Sequence, residues 1–140
     1  MAAAAPTMRF ERELLDGGAS LVVACDEVGR GALAGQVAVG VVVVDAGMRR
    51  MPAGLRDSKL LAEPKRELLA PRAAAWVRAS AVGEASAAEI DELGIMACLG
   101  LAGARAFAAV RELVDVPFGS PLVLDGNYDW LSQAIEHRAR

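Results

Sequence analysis

The strongest constraint on the fold is a pair of apolar, β-branched runs separated by a short glycine-rich link. Leu21-Val22-Val23-Ala24-Cys25-Asp26 is the first run and Gln36 to Val44 the second, with Val28-Gly29-Arg30-Gly31 between them. Branching at Cβ stiffens valine in a helix and suits it to a pleated, half-buried surface, so both runs read as strands. The short link between them predicts an antiparallel pair.

The remaining segments supply cover for that pair. Arg9 to Leu15 reads as a short helix closed by Asp16-Gly17-Gly18, and the loop from Asp45 to Arg56 carries Gly47, Pro52 and Gly54. A helix is expected from about Glu63 towards Arg78. Pro64 suits its first turn, whereas Pro71 removes an internal hydrogen bond and should kink or split it. Ala79 to Glu84 is a candidate third strand. Ser86-Ala87-Ala88-Glu89 is a capping box. Behind it Ile90, Leu93, Ala97, Leu101 and Ala104 recur at helical spacing, predicting one apolar face through about Leu113. Pro117 and Gly119 break the chain before a strand at Pro121 to Leu124, which delivers Asp125-Gly126-Asn127. The order β-β-α-β-α-β predicts an α/β fold with a mixed sheet, in one domain over residues 1–140.

Composition narrows the function. The chain is 54% hydrophobic with only 4% aromatic residues and a mean hydropathy of +0.33. That excludes disorder and points to an aliphatic interior. A net charge of −3 and a pI near 5.2 argue against a general nucleic-acid binder, although a local cationic track is compatible with an acidic chain. Cys25 and Cys98 have neither metal-site nor disulfide spacing and read as reduced core thiols. Met1 to Thr7 lacks the basic start and apolar stretch of a signal peptide, and Val37 to Val44 is too short to cross a bilayer. A soluble, cytoplasmic protein is the expectation. His137, in a polar tail, reads as solvated surface.

Four features could carry chemistry. Asp26-Glu27 ends an apolar strand; burying an unpaired carboxylate costs roughly several kcal/mol, so such a pair is solvated, paired or holding a cation. Neighbours on a regular strand point to opposite faces, so a shared site requires the chain to turn or bulge at Glu27. Gly29-Arg30-Gly31 offers close backbone approach and a planar donor fork for phosphate, or an ordinary tight turn. Arg56-Asp57-Ser58-Lys59 places a hydroxyl and two cations in a loop, for a phosphodiester backbone or for solvent. Asp125 ends a buried strand, at the edge where α/β sheets commonly bind ligands or where an acid caps a turn. Hard oxygen donors of this kind suit Mg2+ or Mn2+.

Taken in order, these blocks resemble the ribonuclease HII family. Cys25-Asp26-Glu27-Val28-Gly29-Arg30-Gly31-Ala32-Leu33-Ala34-Gly35 is similar to its opening signature, and Asp57-Ser58-Lys59-Leu60 to its second block. Glu89-Ile90-Asp91-Glu92-Leu93-Gly94-Ile95 resembles the third. Leu124-Asp125-Gly126-Asn127-Tyr128-Asp129-Trp130-Leu131 resembles the fourth, in the form seen in actinobacterial members. The resemblance implies an RNase H-like fold and Mn2+- or Mg2+-dependent hydrolysis of the RNA strand of RNA–DNA hybrids, leaving a 5′-phosphate and a 3′-hydroxyl. It makes Asp26, Glu27 and Asp125 metal-binding acids. Gly29, Arg30 and Gly31 become the loop that meets the ribonucleotide 2′-hydroxyl, and Ser58 and Lys59 become phosphate contacts. It also implies a monomer that acts on a hybrid duplex and not on a membrane.

Other readings are a different nuclease or transposase on an RNase H-like fold, a truncated domain that binds nucleic acid without cutting it, and an acidic α/β interaction module. Nothing after Trp130 resembles the family's later block, which carries a fourth acid, and Asp129 lies too close to Asp125 to replace it. The 140-residue chain is therefore expected to be truncated. It should show little or no cleavage of a ribonucleotide-containing duplex in Mn2+; cleavage near the rate of full-length family members would overturn that expectation.

Overall fold

Residues 5–32, 34–125 and 128–135 are described by the structure, a computed structural model. The elements follow as α1 (Arg9–Asp16), β1 (Leu21–Val28), β2 (Val37–Asp45), a 3-10 turn (Ser58–Leu60), α2 (Glu63–Trp76), β3 (Ala79–Ala85), α3 (Ala87–Leu93), α4 (Ile95–Leu113), β4 (Leu122–Leu124) and α5 (Ser132–Ile135). The strands form one mixed sheet in the order β3-β2-β1-β4. β1 pairs antiparallel with β2, β2 antiparallel with β3, and β4 joins the other edge of β1 in parallel. The expected α/β class and the antiparallel opening pair are both present. His137 and the end of the polar tail lie outside the described residues.

Period-two alternation puts the core on one face of the sheet. Val37, Val39, Val41 and Val43 of β2 are buried and cluster with Leu21, Val23 and Cys25 of β1. Cys98, Leu99, Ala102, Ala106 and Val110 of α4 complete that cluster. Removing each valine from water contributes about 1.5–3 kcal/mol, so this one face supplies much of the drive to fold. The small residues of α4 let it press close to the sheet. A Cβ at Gly83 of β3 would fall against the Ala102 carbonyl oxygen and the Ala106 amide, so the helix backbone occupies the space a side chain would need.

Two expectations about helices are corrected. The periodic segment from Ser86 to Leu113 is not one helix but two, divided at Gly94 with φ 84°. A left-handed residue resets the rotational phase, so spacing counted across it misplaces the face. Leu93 and Ala97 accordingly face water, while Cys98, Leu99, Ala102, Ala106 and Val110 are buried. Pro71 does not split α2, which is continuous from Glu63 to Trp76. Both Pro71 and Glu67, whose carbonyl loses its partner, lie on the water-facing side. Solvent there can replace the missing bond.

The capping box forms as expected: the Glu89 amide donates to Ser86 Oγ at 3.2 Å and the Ser86 amide donates to Glu89 Oε2 at 2.9 Å. Glu89 also receives both arms of the Arg105 guanidinium, at 3.0 and 2.7 Å, and Arg105 donates to the Glu84 carbonyl at 2.7 Å. These bonds, Arg105's first, lower the Glu89 carboxyl from 4.5 to about 2. The third sequence block thus ties β3, α3 and α4 together. Among the described residues, no helix is long and apolar enough to cross a membrane.

Gly83→Ala is expected to destabilise the fold by about 1–3 kcal/mol through overpacking against the α4 backbone. A thermal melt checks this; an unchanged Tm would mean that α4 does not bear on β3 as closely as described.

Candidate functional site

The parallel register of β1 and β4 brings two of the predicted acids together. Ala24 pairs with Val123 and Cys25 with Leu124, where β4 ends; Asp26 and Asp125 are the residues that directly follow this last pair. The two acids border the same cleft, and the Asp125 charge reaches Asp26 and raises its carboxyl. The chain beyond Asp125 is anchored by packing. Trp130 and Leu131 are buried against α4, where Gly103 leaves room for both side chains and Gly100 lies under the Trp130 carbonyl. Asp129 caps the start of α5, accepting from the amides of Leu131 at 3.1 Å and Ser132 at 2.9 Å. Burial raises the Asp129 carboxyl, but the Ser132 side chain, followed by these two amides, outweighs it and holds it below the usual range. Asp129 is a structural cap, in keeping with its exclusion as a stand-in acid. Gly126 and Asn127 lie outside the described residues, as does Leu33 of the opening block.

The expected bulge at Glu27 is absent. β1 runs without interruption through Val28, with Asp26 opposite Gly40, Glu27 opposite Val39 and Val28 opposite Ala38. The continuous ladder with β2 holds Glu27 in regular geometry, so it belongs to the face of Val23 and Cys25, and Asp26 to the other. Opposite faces count against one site shared by the two carboxylates, although both residues border a single cleft at the end of the strand. It measures about 400 Å³ and is walled by Asp26, Glu27, Val28, Gly29, Arg30, Gly31, Asp57, Ser58, Lys59 and Asp125.

Local chemistry explains the loops that close the cleft. Gly29 has φ 95°, and a Cβ there would stand 2.6 Å from the Gln36 carbonyl oxygen, so the link between β1 and β2 closes only with glycine. Gly31 has open space around its Cβ position and a φ that any residue adopts, so nothing in the fold demands glycine there. Arg30 Nη1 lies 3.9 Å from Glu27 Oε1. The 3-10 turn is pinned from α2, since Arg66 donates to the carbonyls of Leu61 at 3.0 Å and Ser58 at 3.4 Å. Farther back, the Trp76 indole donates to the Arg49 carbonyl at 2.8 Å and fixes the start of the same connection.

Burial and like charge act together on the acids of the cleft. Burial raises the Asp26 carboxyl, and so do the charges of Glu27, Asp125 and Asp57; the Glu27 amide, donating at 2.9 Å to Asp26 Oδ1, acts in the other direction. Burial and then the Asp26 charge push the Cys25 thiol up to about 12, so it stays protonated and is no nucleophile. Lys59 is raised by its bond to Asp57 and further by attraction to Asp26 and Asp125. Carboxylates that repel one another around an open cleft form a donor set that fits a hard divalent cation. Among the described residues, however, no three of His, Cys, Asp and Glu are grouped closely enough to hold a metal ion by themselves. A cation here would complete its shell with waters or phosphate oxygens, as Mg2+ usually does.

All of the predicted site residues line this cleft. Sequence reasoning passed over two further members, Asp57 and Val28. Asp57 was visible as the acid directly before Ser58-Lys59, and Val28 as the residue between the acid pair and Gly29; neither residue type announces itself in a loop or at a strand end.

Comparison with known proteins agrees with the motif order. The ribonuclease HII family model matches residues 23–114. Ribonuclease HII of Streptomyces avermitilis is 44% identical over 127 residues, covering 90% of this chain and 52% of that protein. The Streptomyces griseus protein is 46% identical, with 90% and 51% covered. The Paracoccus denitrificans protein is 44% identical over 110 residues, with 76% and 50% covered. The chain spans about half the length of these curated relatives. The crystal structure of a mutant of Bst-RNase HIII superposes with a TM-score of 0.63 at 21% identity, over 83% of this chain and 40% of that one, which shows a shared RNase H-like fold. By family model, sequence identity and fold, the chain belongs to the ribonuclease HII family.

Proposed function

We propose that the cleft is the hydrolytic centre of an endonuclease that cuts the RNA strand of RNA–DNA hybrids, including ribonucleotides embedded in duplex DNA. The product ends would be a 5′-phosphate and a 3′-hydroxyl. The observation that carries this reading is the register that sets Asp125 beside Asp26, next to the Gly29-Arg30-Gly31 loop. In this reading Asp26, Glu27 and Asp125 hold Mn2+ or Mg2+, and such ions supply Lewis-acid stabilisation of the phosphoryl charge. Arg30 offers its fork to a phosphate. The uncrowded Gly31 lets the backbone approach the ribose, whose 2′-hydroxyl separates RNA from DNA. Ser58 and Lys59 contact the phosphates beside the reacting one. The protein acts as a single-domain monomer in the cytoplasm, during DNA replication and repair.

A second reading, a cleft that binds the hybrid without cutting it, is favoured by the lack of a closed three-donor group among the described residues. Metal linkage separates the two. Millimolar Mn2+ should raise the Tm of the chain, and Asp26→Asn or Asp125→Asn should abolish the rise. Nicking of a ribonucleotide-containing duplex, however slow, with an all-DNA duplex left intact, completes the first reading. Hybrid binding without any Mn2+-dependent stabilisation supports the second, and absence of both binding and stabilisation overturns each.

The two glycines give a sharper check on the loop. Gly29→Ala should lower the Tm, because its Cβ meets backbone. Gly31→Ala should leave the stability within about 0.5 kcal/mol of the original, as surface changes do, yet weaken hybrid binding. Unaltered binding by Gly31→Ala would remove the loop from the recognition surface.

A further inference from the structure

Asp57 holds Lys59 at both ends. Its Oδ1 accepts the Lys59 backbone amide at 3.1 Å, which caps the 3-10 turn, and its Oδ2 meets the Lys59 ammonium at 2.9 Å. The side chains are 42% and 79% exposed, so the ion pair is screened by water and contributes little to stability. An acid in this place is also awkward for a cleft that takes phosphates, since it adds charge of the substrate's own sign to that of Asp26 and Asp125. Capping accounts for Oδ1, but neither stability nor attraction of the substrate accounts for the Oδ2 contact with the Lys59 ammonium. Orientation does. A lysine carries a flexible stem with several rotatable bonds, and ordering it on binding costs affinity.

We propose that Asp57 is a positioning residue, gripping Lys59 so that its ammonium stands in the Asp26–Asp125 cleft before a substrate phosphate arrives. The inference rests on the reading of the cleft as a hybrid-binding site. Lys59 is the group that touches phosphate, and Asp57 acts through it. The pull of Asp26 and Asp125 on the Lys59 ammonium agrees with this placement. When phosphate binds, the ammonium passes from one carboxylate to the incoming oxygen over a short arc and with little further loss of side-chain freedom.

The test is titration of a fluorescent RNA–DNA hybrid with the 140-residue chain, with Ca2+ as the divalent cation and over a range of salt. Lys59→Met should weaken binding and reduce the slope of log affinity against log salt by about one. Asp57→Asn, which keeps the capping acceptor, should weaken binding roughly threefold to tenfold, the cost of ordering one long side chain. In the Lys59→Met background the same change should add nothing, because the residue it positions is gone. The Lys59 ammonium signal in nuclear magnetic resonance should be sharp in the unsubstituted chain and lost in Asp57→Asn at unchanged Tm. Tighter binding by Asp57→Asn, or an equal loss with and without Lys59, would overturn the positioning role. If the unsubstituted chain binds no hybrid, the proposed function fails first and this inference with it; if it binds and Asp57→Asn is indistinguishable from it, only this inference fails.

Discussion

The parallel pairing of β4 with β1 is the contact on which the site depends. It is short, joining Val23, Ala24 and Cys25 to Leu122, Val123 and Leu124. A parallel pair needs a long crossover, and here the whole of β2, α2, β3, α3 and α4 lies between the partners. The site therefore cannot form before the fold does. Slipping β4 by one residue would turn Asp125 to the opposite face from Asp26, and with it would go the shared cleft. What prevents the slip is not the few strand bonds but the packing on either side of them. Leu122 is locked in the core, and Trp130 and Leu131 are seated on the glycines of α4.

That packing explains why α4 is built largely from small residues. The helix must lie close to β2 and β3 on one side and admit Trp130 and Leu131 on another. Gly83 on the sheet and Gly100 and Gly103 on the helix are the places where a methyl group would collide. Small-residue packing lowers the apolar area each residue buries, and the valine-rich face of the sheet compensates. The composition that first marks the chain as aliphatic is thus the composition that lets Trp130 and Leu131 seat against α4.

Much of this was legible in the sequence where the signal is local. Alternating valines fixed β2, Ser86 and Glu89 wrote the capping box, and the ordered motif blocks named the residues that meet at the cleft. Signals failed where geometry overrides spacing. The apolar periodicity through Ile90 to Ala104 ignored Gly94, whose left-handed backbone starts a new helix with a new face. Pro71 looked disruptive because its cost was judged without knowing that the orphaned carbonyl faces water. The bulge at Glu27 was inferred from the need to bring adjacent carboxylates together. The ladder instead stays intact, and the two residues border the cleft from opposite faces of the strand.

Charge balance shows why an acidic chain can be read as a nucleic-acid enzyme. Carboxylates outnumber cations in the cleft itself, with Asp26, Glu27, Asp57 and Asp125 facing Arg30 and Lys59. A polyanion is repelled from such a surface unless divalent cations arrive with it, so affinity for metal and affinity for phosphate become one coupled quantity. Burial raises the Asp26 carboxyl first, and the charges of Glu27, Asp125 and Asp57 add to it. An overall charge of −3 is then no argument against a hybrid duplex as ligand. It moves the electrostatic work from general attraction to a few groups held in fixed places, and a site of that kind depends more on where Arg30 and Lys59 point than on how many cations the protein carries.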